Sequence, residues 1–282
     1  MVVMITTAKY NEIIDYIRTY NGLTIDCDCD LKKAFPEFSG NPLVLSSILS
    51  REVQNRLKTT YHIIQAQAVQ LLEEYYGKIA KTPASDSILL EMAIDLKFSP
   101  VGLARILLTE KFKGCKTKSD VSNMVKNPYL IPDVKLGANV RKCLFNDNCD
   151  GFLTDFIRRF LGEEYEIRLK QMAKNAGLVF NDEGDLRRTG YDKTPDLKLA
   201  IPCLYRGVPI HWIESKALFG DAVNHEKYMR EQLSCYRNRF GAGIVIYWMG
   251  CVDTVAESSE ANMIFVRNSF PEDHELTLLK VC

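Results

Sequence analysis

The first half of the chain has the period of amphipathic helices. Apolar residues recur every three to four positions in four stretches, and Gly, Pro or acidic residues separate them. Helices are predicted over residues 9–20, 43–76, 89–96 and 101–108. The longest stretch is compatible with one helix or two, and Gly77 is predicted to end it. The acidic residues 24–30 are predicted as a connector, with Asp30 capping a helix that starts at Leu31.

The second half of the chain mixes helical and strand-like patterns. Residues 152–175 and 224–240 have helical spacing, whereas residues 181–190 are predicted as a polar loop. Short β-branched and aromatic runs predict strands near residues 178–180, 244–249 and 263–266, and a pair of strands within 192–217. Within that pair, Tyr205-Arg206-Gly207 is predicted as the turn. This order is typical of an α/β or α+β domain with a mixed sheet flanked by helices.

A break in composition suggests a division into two domains. Residues 127–150 contain two prolines, a glycine and a cluster of Asn and Asp, which favours a linker. We therefore expect a helical domain at 1–150 and a mixed domain at 151–282.

Two short predicted helices in the first half resemble a helix-turn-helix. Ser99-Pro100 fits an N-cap followed by proline at the first helical position of the second helix. An ordinary helical hairpin is the alternative, and residues 31–60 are a candidate for a second, degenerate unit. If the second helix is a recognition helix, an exposed Arg105 is expected to contact DNA, together with Lys111 and Lys113.

Charge and composition narrow the possible partners only locally. Lys plus Arg equals Asp plus Glu at 36 each, so the net charge indicates no partner. Residues 97–142, however, carry ten basic and three acidic side chains, an excess that can attract a polyanion or simply form a solvated face. No secretory signal and no apolar run long enough to span a membrane are expected, and the nine scattered cysteines favour reduced thiols over a zinc site.

The strand pair contains a group of charges that requires a physical reason. Glu214 and Lys216 are two residues apart on one strand, so they project to the same face, among apolar neighbours. Asp196 lies at the start of the other strand. Charges in such a place are costly unless they are paired or bind a metal. Asp196, Glu214 and the carbonyl of Ser215 can provide the oxygen ligands that Mg²⁺ prefers, with Glu166 as a possible addition.

Taken singly, each of these residues has a simpler interpretation. Asp196 can be a turn residue after Pro195, and Glu214 with Lys216 can form an ion pair without chemistry. Gln232 and Tyr236, one helical turn apart, can be ordinary helix positions, with Tyr236 in the core. Their common order and spacing favour a shared role.

Together these residues resemble the PD-(D/E)XK nuclease superfamily. Thr-Pro-Asp196 followed by Glu214-Ser-Lys216 resembles its central motif, and Gly162-Glu-Glu-Tyr-Glu166 resembles the helix that precedes its core sheet. Gln232 and Tyr236 are similar to the Gln-x-x-x-Tyr helix of its RecB-like branch. The Thr-Pro-Asp form, with helix-turn-helix units before it, resembles more narrowly the TPD-motif family over essentially the full length.

The resemblance implies a fold, an activity and partners. The fold would be a restriction-endonuclease-like mixed sheet flanked by helices. The activity would be Mg²⁺- or Mn²⁺-dependent hydrolysis of DNA, with Asp196, Glu214, Lys216, Glu166, Gln232 and Tyr236 as catalytic residues. The family also implies a complex with codanin, residence in the nucleus and cytoplasm, and a role in erythroid development.

Two other functions remain open at this stage. A catalytically quiet scaffold would keep the nuclease fold and act by binding codanin. A DNA-binding regulator would use the helix-turn-helix to recognise a sequence.

Overall fold

The computed structural model describes residues 4–82, 84–260 and 262–279. The fold is mixed α+β, as predicted. Clustering of neighbouring residues divides the chain into two compact units. One contains the described parts of Met1–Ile13, Gly40–Ser47 and Arg158–Cys282, and the other contains Ile14–Ser39 and Ile48–Ile157. The division into domains at residue 150 stays a prediction; the last segment of the first unit begins at Arg158, inside a helix.

Helices form almost all the secondary structure up to residue 175. A short strand precedes them, and 3-10 turns at Pro36–Phe38 and Pro128–Leu130 interrupt them. The elements are β1 (Met4–Ile5), α1 (Thr7–Thr19), α2 (Thr24–Ala34), α3 (Leu43–Ala66), α4 (Ala68–Lys81), α5 (Ile88–Asp95), α6 (Pro100–Lys111), α7 (Lys118–Lys126), α8 (Val134–Phe145) and α9 (Phe152–Asn175).

Two predictions about the first helices were wrong. The acidic residues 24–30 are helical, because Cys27 and Leu31 are buried one turn apart in α2 and lysines neutralise the aspartates on its other faces. Asp30 therefore lies inside a helix and caps none. Gly77 does not end the long helical stretch, because α4 continues through Ile79, which packs against the core.

The predicted linker was also wrong, since half of it is the helix α8, which buries six of its residues. Asp133 is its N-cap and accepts a 3.0 Å hydrogen bond from the Leu136 N–H. Gly137 allows a close approach, because a Cβ there would lie 2.9 Å from the Pro128 carbonyl oxygen. Two of the residues that indicated a linker thus have structural roles, since Asp133 begins α8 and Gly137 lets α8 pack closely against Pro128.

Helix α6 is the central helix of its unit. It contacts α4, α5, α7 and α8, and eight of its twelve residues are buried. Ser99 caps it as predicted and accepts a 2.7 Å hydrogen bond from the Gly102 N–H. A helix that is apolar on all sides belongs to a core. This burial contradicts the expectation of a recognition helix open to a DNA groove.

The remaining elements form the sheet and its flanking helices. The sheet order is β2-β3-β4-β5-β7, and β8 pairs with β3; β2, β4 and β8 run antiparallel to β3, whereas β5 and β7 continue parallel to β4. A separate parallel pair joins β1 to β6. The elements are β2 (Phe180–Asp182), α10 (Glu183–Arg188), β3 (Leu197–Tyr205), β4 (Val208–Lys216), α11 (Ala222–Tyr228), α12 (Ser234–Phe240), β5 (Gly243–Tyr247), β6 (Cys251–Val252), α13 (Asp253–Glu260), β7 (Ile264–Arg267) and β8 (Leu276–Leu278).

The β3–β4 hairpin confirms the predicted strand pair and turn. Arg206 and Gly207 have φ of 49° and 81°, the left-handed conformations of a tight two-residue hairpin turn. The pairing register shifts between Lys198 and Cys203, where Pro202 lies, because proline cannot donate to the ladder and is tolerated at such irregularities. Beyond this shift Leu197 pairs with Ile213, which brings the two ends of the hairpin together.

One further prediction in the second half was wrong. Residues 183–188 of the predicted polar loop form the short helix α10, with a capping box between Asp182 and Asp185. Helix α9 runs without a break through Gly162. None of the helices in the described ranges combines the length and apolar character needed to cross a lipid bilayer.

Candidate active site

The candidate site begins with two charged side chains on β4. Glu214 is buried and Lys216 is nearly so, with side-chain exposures of 3% and 14%. Lys216 Nζ lies 2.6 Å from Glu214 Oε1. The alternation of the strand places both on the face that also carries the buried Trp212. The predicted shared face is therefore confirmed.

Asp196 reaches the same place from the start of β3. The Ser215 N–H donates a 2.6 Å hydrogen bond to Asp196 Oδ2, and the Asp196 N–H donates a 3.3 Å bond to Glu214 Oε2. The pairing of Leu197 with Ile213 causes this approach, because it sets Asp196 opposite Glu214 at the open end of the hairpin. Each carboxylate therefore accepts a hydrogen bond from a backbone N–H of the opposite arm of the hairpin.

These carboxylates carry more negative charge than the site compensates. Burial and the charge of Glu214 raise the pKa of Asp196 well above its usual value. Burial also raises the pKa of Glu214, although Lys216 opposes that shift. Burial alone would lower the pKa of Lys216, but the two carboxylates outweigh it and raise that pKa. Lys216 is therefore an ammonium group at neutral pH.

Glu166 on α9 lies near the pair without bonding to it. Burial raises its pKa, and the charges of Glu183 and Glu214 raise it further, whereas the charge of Lys170 opposes the shift. Glu166 in turn raises the pKa of Asp196. Its carboxylate makes no hydrogen bond or ion pair with any residue that the structure describes. It is thus a third carboxylate close to the site that remains available for another ligand.

The helical segment after β4 supplies Gln232 and Tyr236. Lys216 Nζ donates a 3.0 Å hydrogen bond to Gln232 Oε1, and Gln232 Nε2 donates one of 2.7 Å to the Tyr236 hydroxyl. That hydroxyl donates a 2.5 Å bond to the Thr194 carbonyl oxygen. Burial raises the pKa of Tyr236, so its proton stays in place. The hydrogen bonds therefore run in one direction, from Lys216 through Gln232 and Tyr236 to the segment between α10 and β3 that carries Thr194 and Asp196.

Three supporting residues were not found from the sequence. Thr194 is buried and provides the acceptor for Tyr236. Trp248 donates from its backbone to the Lys216 carbonyl oxygen at 3.0 Å and from Nε1 to Ser215 Oγ at 2.8 Å. Tyr228 lies with its ring centroid 4.9 Å from Lys216 Nζ. Two signals were available in the sequence: Thr194 belongs to the Thr-Pro-Asp motif, and Tyr228 lies one helical turn before Gln232.

The Trp248 contact also indicates the orientation of the Ser215 carbonyl. Along a β-strand, the N–H and the C=O of one residue point to the same edge of the strand, and those of the next residue point to the opposite edge. The Lys216 carbonyl faces β5 through Trp248, whereas the Ser215 N–H faces Asp196. The Ser215 carbonyl therefore points toward the Asp196 edge.

The donor set decides which metals suit this site. In the described residues, no group of three or more His, Cys, Asp and Glu side chains is placed to hold a metal ion. Asp196, Glu214 and the Ser215 carbonyl offer only hard oxygen atoms. Mg²⁺ commonly binds through one or two carboxylates and takes its other ligands from water and phosphate. The residues thus fit Mg²⁺ or Mn²⁺, and the uncompensated carboxylate charge favours a divalent cation.

The predicted DNA-binding residues lie on or beside α6, in the other unit. Arg105 is half-buried rather than exposed. Lys111 Nζ forms a 2.6 Å ion pair with Asp133 Oδ2 and lies over the ring of Tyr76. Lys113 is 72% exposed and pairs with Glu110. Of these three, only Lys113 presents its charge mainly to solvent.

Comparisons with known proteins agree with one another. Residues 132–270 match the model of a family described as a protein of unknown function with the TPD sequence motif. The chain is 39% identical to CDAN1-interacting nuclease 1 of Xenopus tropicalis over 276 residues, 95% of this chain and 89% of that relative. The proteins of the same name from Mus musculus and Homo sapiens are 37% and 36% identical, over 96% and 95% of this chain and 96% of each relative. No solved structure matches the chain.

Proposed function

The chain belongs to the TPD-motif family, together with relatives named CDAN1-interacting nuclease 1, and on this premise we propose that it hydrolyses phosphodiester bonds in DNA with Mg²⁺ or Mn²⁺. The observation that carries the proposal is the approach of Asp196, Glu214 and Lys216 at the open end of one hairpin. The same three residues carry the sequence resemblance to PD-(D/E)XK nucleases.

Asp196 and Glu214 would hold the cation, with the Ser215 carbonyl as a third ligand and Glu166 as a possible fourth. A bound divalent cation offsets the charge of the scissile phosphate and lowers the pKa of a bound water. The protein supports that role because it buries two carboxylates with only one ammonium group close by.

Lys216 acts as a fixed hydrogen-bond donor and positive charge. Its raised pKa argues against a role as general base. Glu214 and Gln232 accept two of its three hydrogen bonds, which leaves one N–H for the attacking water or a phosphate oxygen. Such preorganised charge stabilises the negative charge that develops in the transition state.

Glu166 and the Gln232–Tyr236 pair have different roles. The raised pKa and free carboxylate of Glu166 suit a group that accepts a proton from water. Gln232 fixes the Lys216 ammonium, while Tyr236 anchors Gln232 to the segment that carries Asp196. These two residues position the site without touching the reacting atoms.

DNA as the substrate is supported by exposed positive charge in the helical unit. Lys113, Lys116, Lys118 and Lys126 are exposed and lie close together in sequence around α7. Exposed lysines suit contacts with phosphates independent of sequence. The burial of α6 disfavours the alternative of a sequence-specific regulator.

Cleavage of several DNA structures tests the proposal. Single-stranded, duplex and branched oligonucleotides are incubated with Mg²⁺ or Mn²⁺, with EDTA as the blank. Asp196→Ala and Lys216→Ala should lower the rate about 100-fold or more. Glu257→Ala, a change at an exposed position on α13 of the same unit, is the matched control and should retain it. Equal rates in the wild type and both site variants would refute the mechanism.

We also propose that the chain binds codanin, because the relatives are named for that interaction. Co-purification with codanin would be compared for the wild type and Glu214→Ala. Retained binding with lost cleavage would separate the two functions. If cells that carry Glu214→Ala behave like those with the wild-type protein, the catalytically quiet scaffold is favoured over the nuclease. Residence in the nucleus and cytoplasm and an erythroid role stay predictions.

A further inference from the structure

One contact of Lys216 belongs to none of the motifs above. The ring of Tyr228, at the end of α11, lies with its centroid 4.9 Å from Lys216 Nζ. We propose that Tyr228 is a positioning residue that holds the Lys216 ammonium for catalysis, an inference that rests on the proposed nuclease function. It is argued from three features: the contact itself, the flexibility of lysine, and the helical turn that follows Tyr228.

The contact joins a cation to an aromatic face in a nearly dry place. The Lys216 side chain is only 14% exposed, and Tyr228 is half-buried. A cation within about 6 Å of a ring centroid is attracted to the ring, more strongly when water is excluded. Tyr228 therefore stabilises the ammonium group without using any of its N–H donors.

Lysine needs such support because its stem is flexible. A free lysine side chain populates many rotamers, and catalysis depends on placement within about 1 Å. Glu214 at 2.6 Å and Gln232 at 3.0 Å fix two N–H directions. The ring of Tyr228 adds a third constraint, and the remaining N–H can point to the substrate.

An unusual helical turn brings Tyr228 and Gln232 to the same ammonium. Residues Met229–Leu233 form a π-helical turn between α11 and α12. In a regular α-helix four residues advance about 400°, so Tyr228, Gln232 and Tyr236 would drift about 80° around the axis over eight residues. The wider π turn offsets part of this drift, so the three side chains can face β4 together. Single π turns inside helices often occur at functional sites.

Two substitutions separate positioning by the ring from packing. Tyr228→Phe keeps the aromatic face, whereas Tyr228→Leu removes it and keeps an apolar side chain. Tyr191→Leu is the matched control, because Arg239 lies over the Tyr191 ring at 5.6 Å in the same unit, away from Lys216.

The kinetic test measures kcat and KM for Mn²⁺-dependent cleavage of a DNA oligonucleotide. Tyr228→Leu should lower kcat about tenfold with KM unchanged, and Tyr228→Phe should stay within about threefold of the wild type. In a Lys216→Ala background Tyr228→Leu should have no further effect. A wild-type kcat in Tyr228→Leu, or the same tenfold loss without Lys216, would overturn the inference.

A second measurement needs no activity and keeps the two proposals distinguishable. Urea unfolding midpoints are compared for Tyr228→Leu, Lys216→Met and the double variant. Coupled residues should give a double variant whose midpoint falls by less than the sum of the two single shifts. Additive shifts would show that the ring does not hold Lys216, even if the protein cleaves DNA. Coupled shifts in a protein that cleaves no DNA would instead refute the nuclease proposal.

Discussion

The ammonium nitrogen of Lys216 lies 2.6 Å from Glu214 Oε1, and both side chains project from one face of β4. A buried ion pair of this kind contributes little net stability, because desolvation of the two charges offsets their attraction. Removing one partner is different, since it leaves an uncompensated buried charge. The pair is therefore better explained by the chemistry of the site than by the stability of the fold.

Lys216→Met should lower the free energy of unfolding by about 3 kcal/mol, because Glu214 would remain buried without its partner. Adding Glu214→Gln should restore most of that loss, since the double variant no longer buries the Glu214 charge without its ammonium partner. Urea unfolding of the single and double variants measures both changes. Independent, additive losses would contradict this account of the pair.

Asp196→Asn should stabilise the metal-free protein at pH 8. The folded-state pKa of Asp196 is raised, so the stability that its carboxyl group contributes is present below its usual pKa of 3.8 and is lost as pH rises through the folded value. Asparagine stays neutral and can still accept the Ser215 N–H. We expect the melting temperature to rise by about 2 °C or more at pH 8, and by less at pH 4.

Divalent cations should reverse the order of stability, so that the wild type becomes more stable than Asp196→Asn. Under the proposed function, Mg²⁺ or Mn²⁺ would bind the folded state, and it should then raise the melting temperature of the wild type as its concentration increases. Asp196→Asn should show little response, and the exposed control Glu257→Gln on α13 should respond like the wild type. An equal response of Asp196→Asn would show that the cation binds elsewhere.

The hairpin was the most predictable part of the molecule. Side chains alternate between the two faces of each strand, and Arg206-Gly207 forms the turn. A period of two necessarily places Glu214 and Lys216 on one face. The approach of Asp196 followed from the motif spacing, because two paired strands return the chain to its starting edge. These features depend on local pattern, which a sequence displays directly.

Other features depend on tertiary contacts that local pattern does not display. Pro128 and Gly137 read as helix breakers, yet they form the close contact that seats α8. Arg105 suggested an exposed face, but α6 is surrounded by four helices. The π turn Met229–Leu233 could not be predicted either, because these residues give no local reason for an i→i+5 hydrogen-bond pattern.

Substitutions of Lys111 and Lys113 should lower the free energy of unfolding by different amounts. Lys111 pairs with Asp133, which also caps α8, so Lys111→Met should lower the free energy of unfolding by about 1 kcal/mol. Lys113→Ala should change it by no more than about 0.5 kcal/mol. If Lys113 contacts a phosphate, its variant should also reduce the salt dependence of DNA binding by about one charge. Unchanged salt dependence would exclude that contact.

His225 should make the fold sensitive to acid. Its Nδ1 lies 2.8 Å from the Tyr247 hydroxyl and its Nε2 lies 2.6 Å from Ser259 Oγ, all in buried positions. Burial lowers the pKa of His225 from 6.5 to about 4, so the contribution is present above pH 6.5 and is lost as pH falls through 4. This shift corresponds to about 3 kcal/mol. His225→Phe should be less stable at pH 8 but should lose less stability between pH 6.5 and 4, measured by urea unfolding. His62→Gln, an exposed change on α3, should keep the wild-type dependence, and a wild-type pH profile in His225→Phe would refute the assignment.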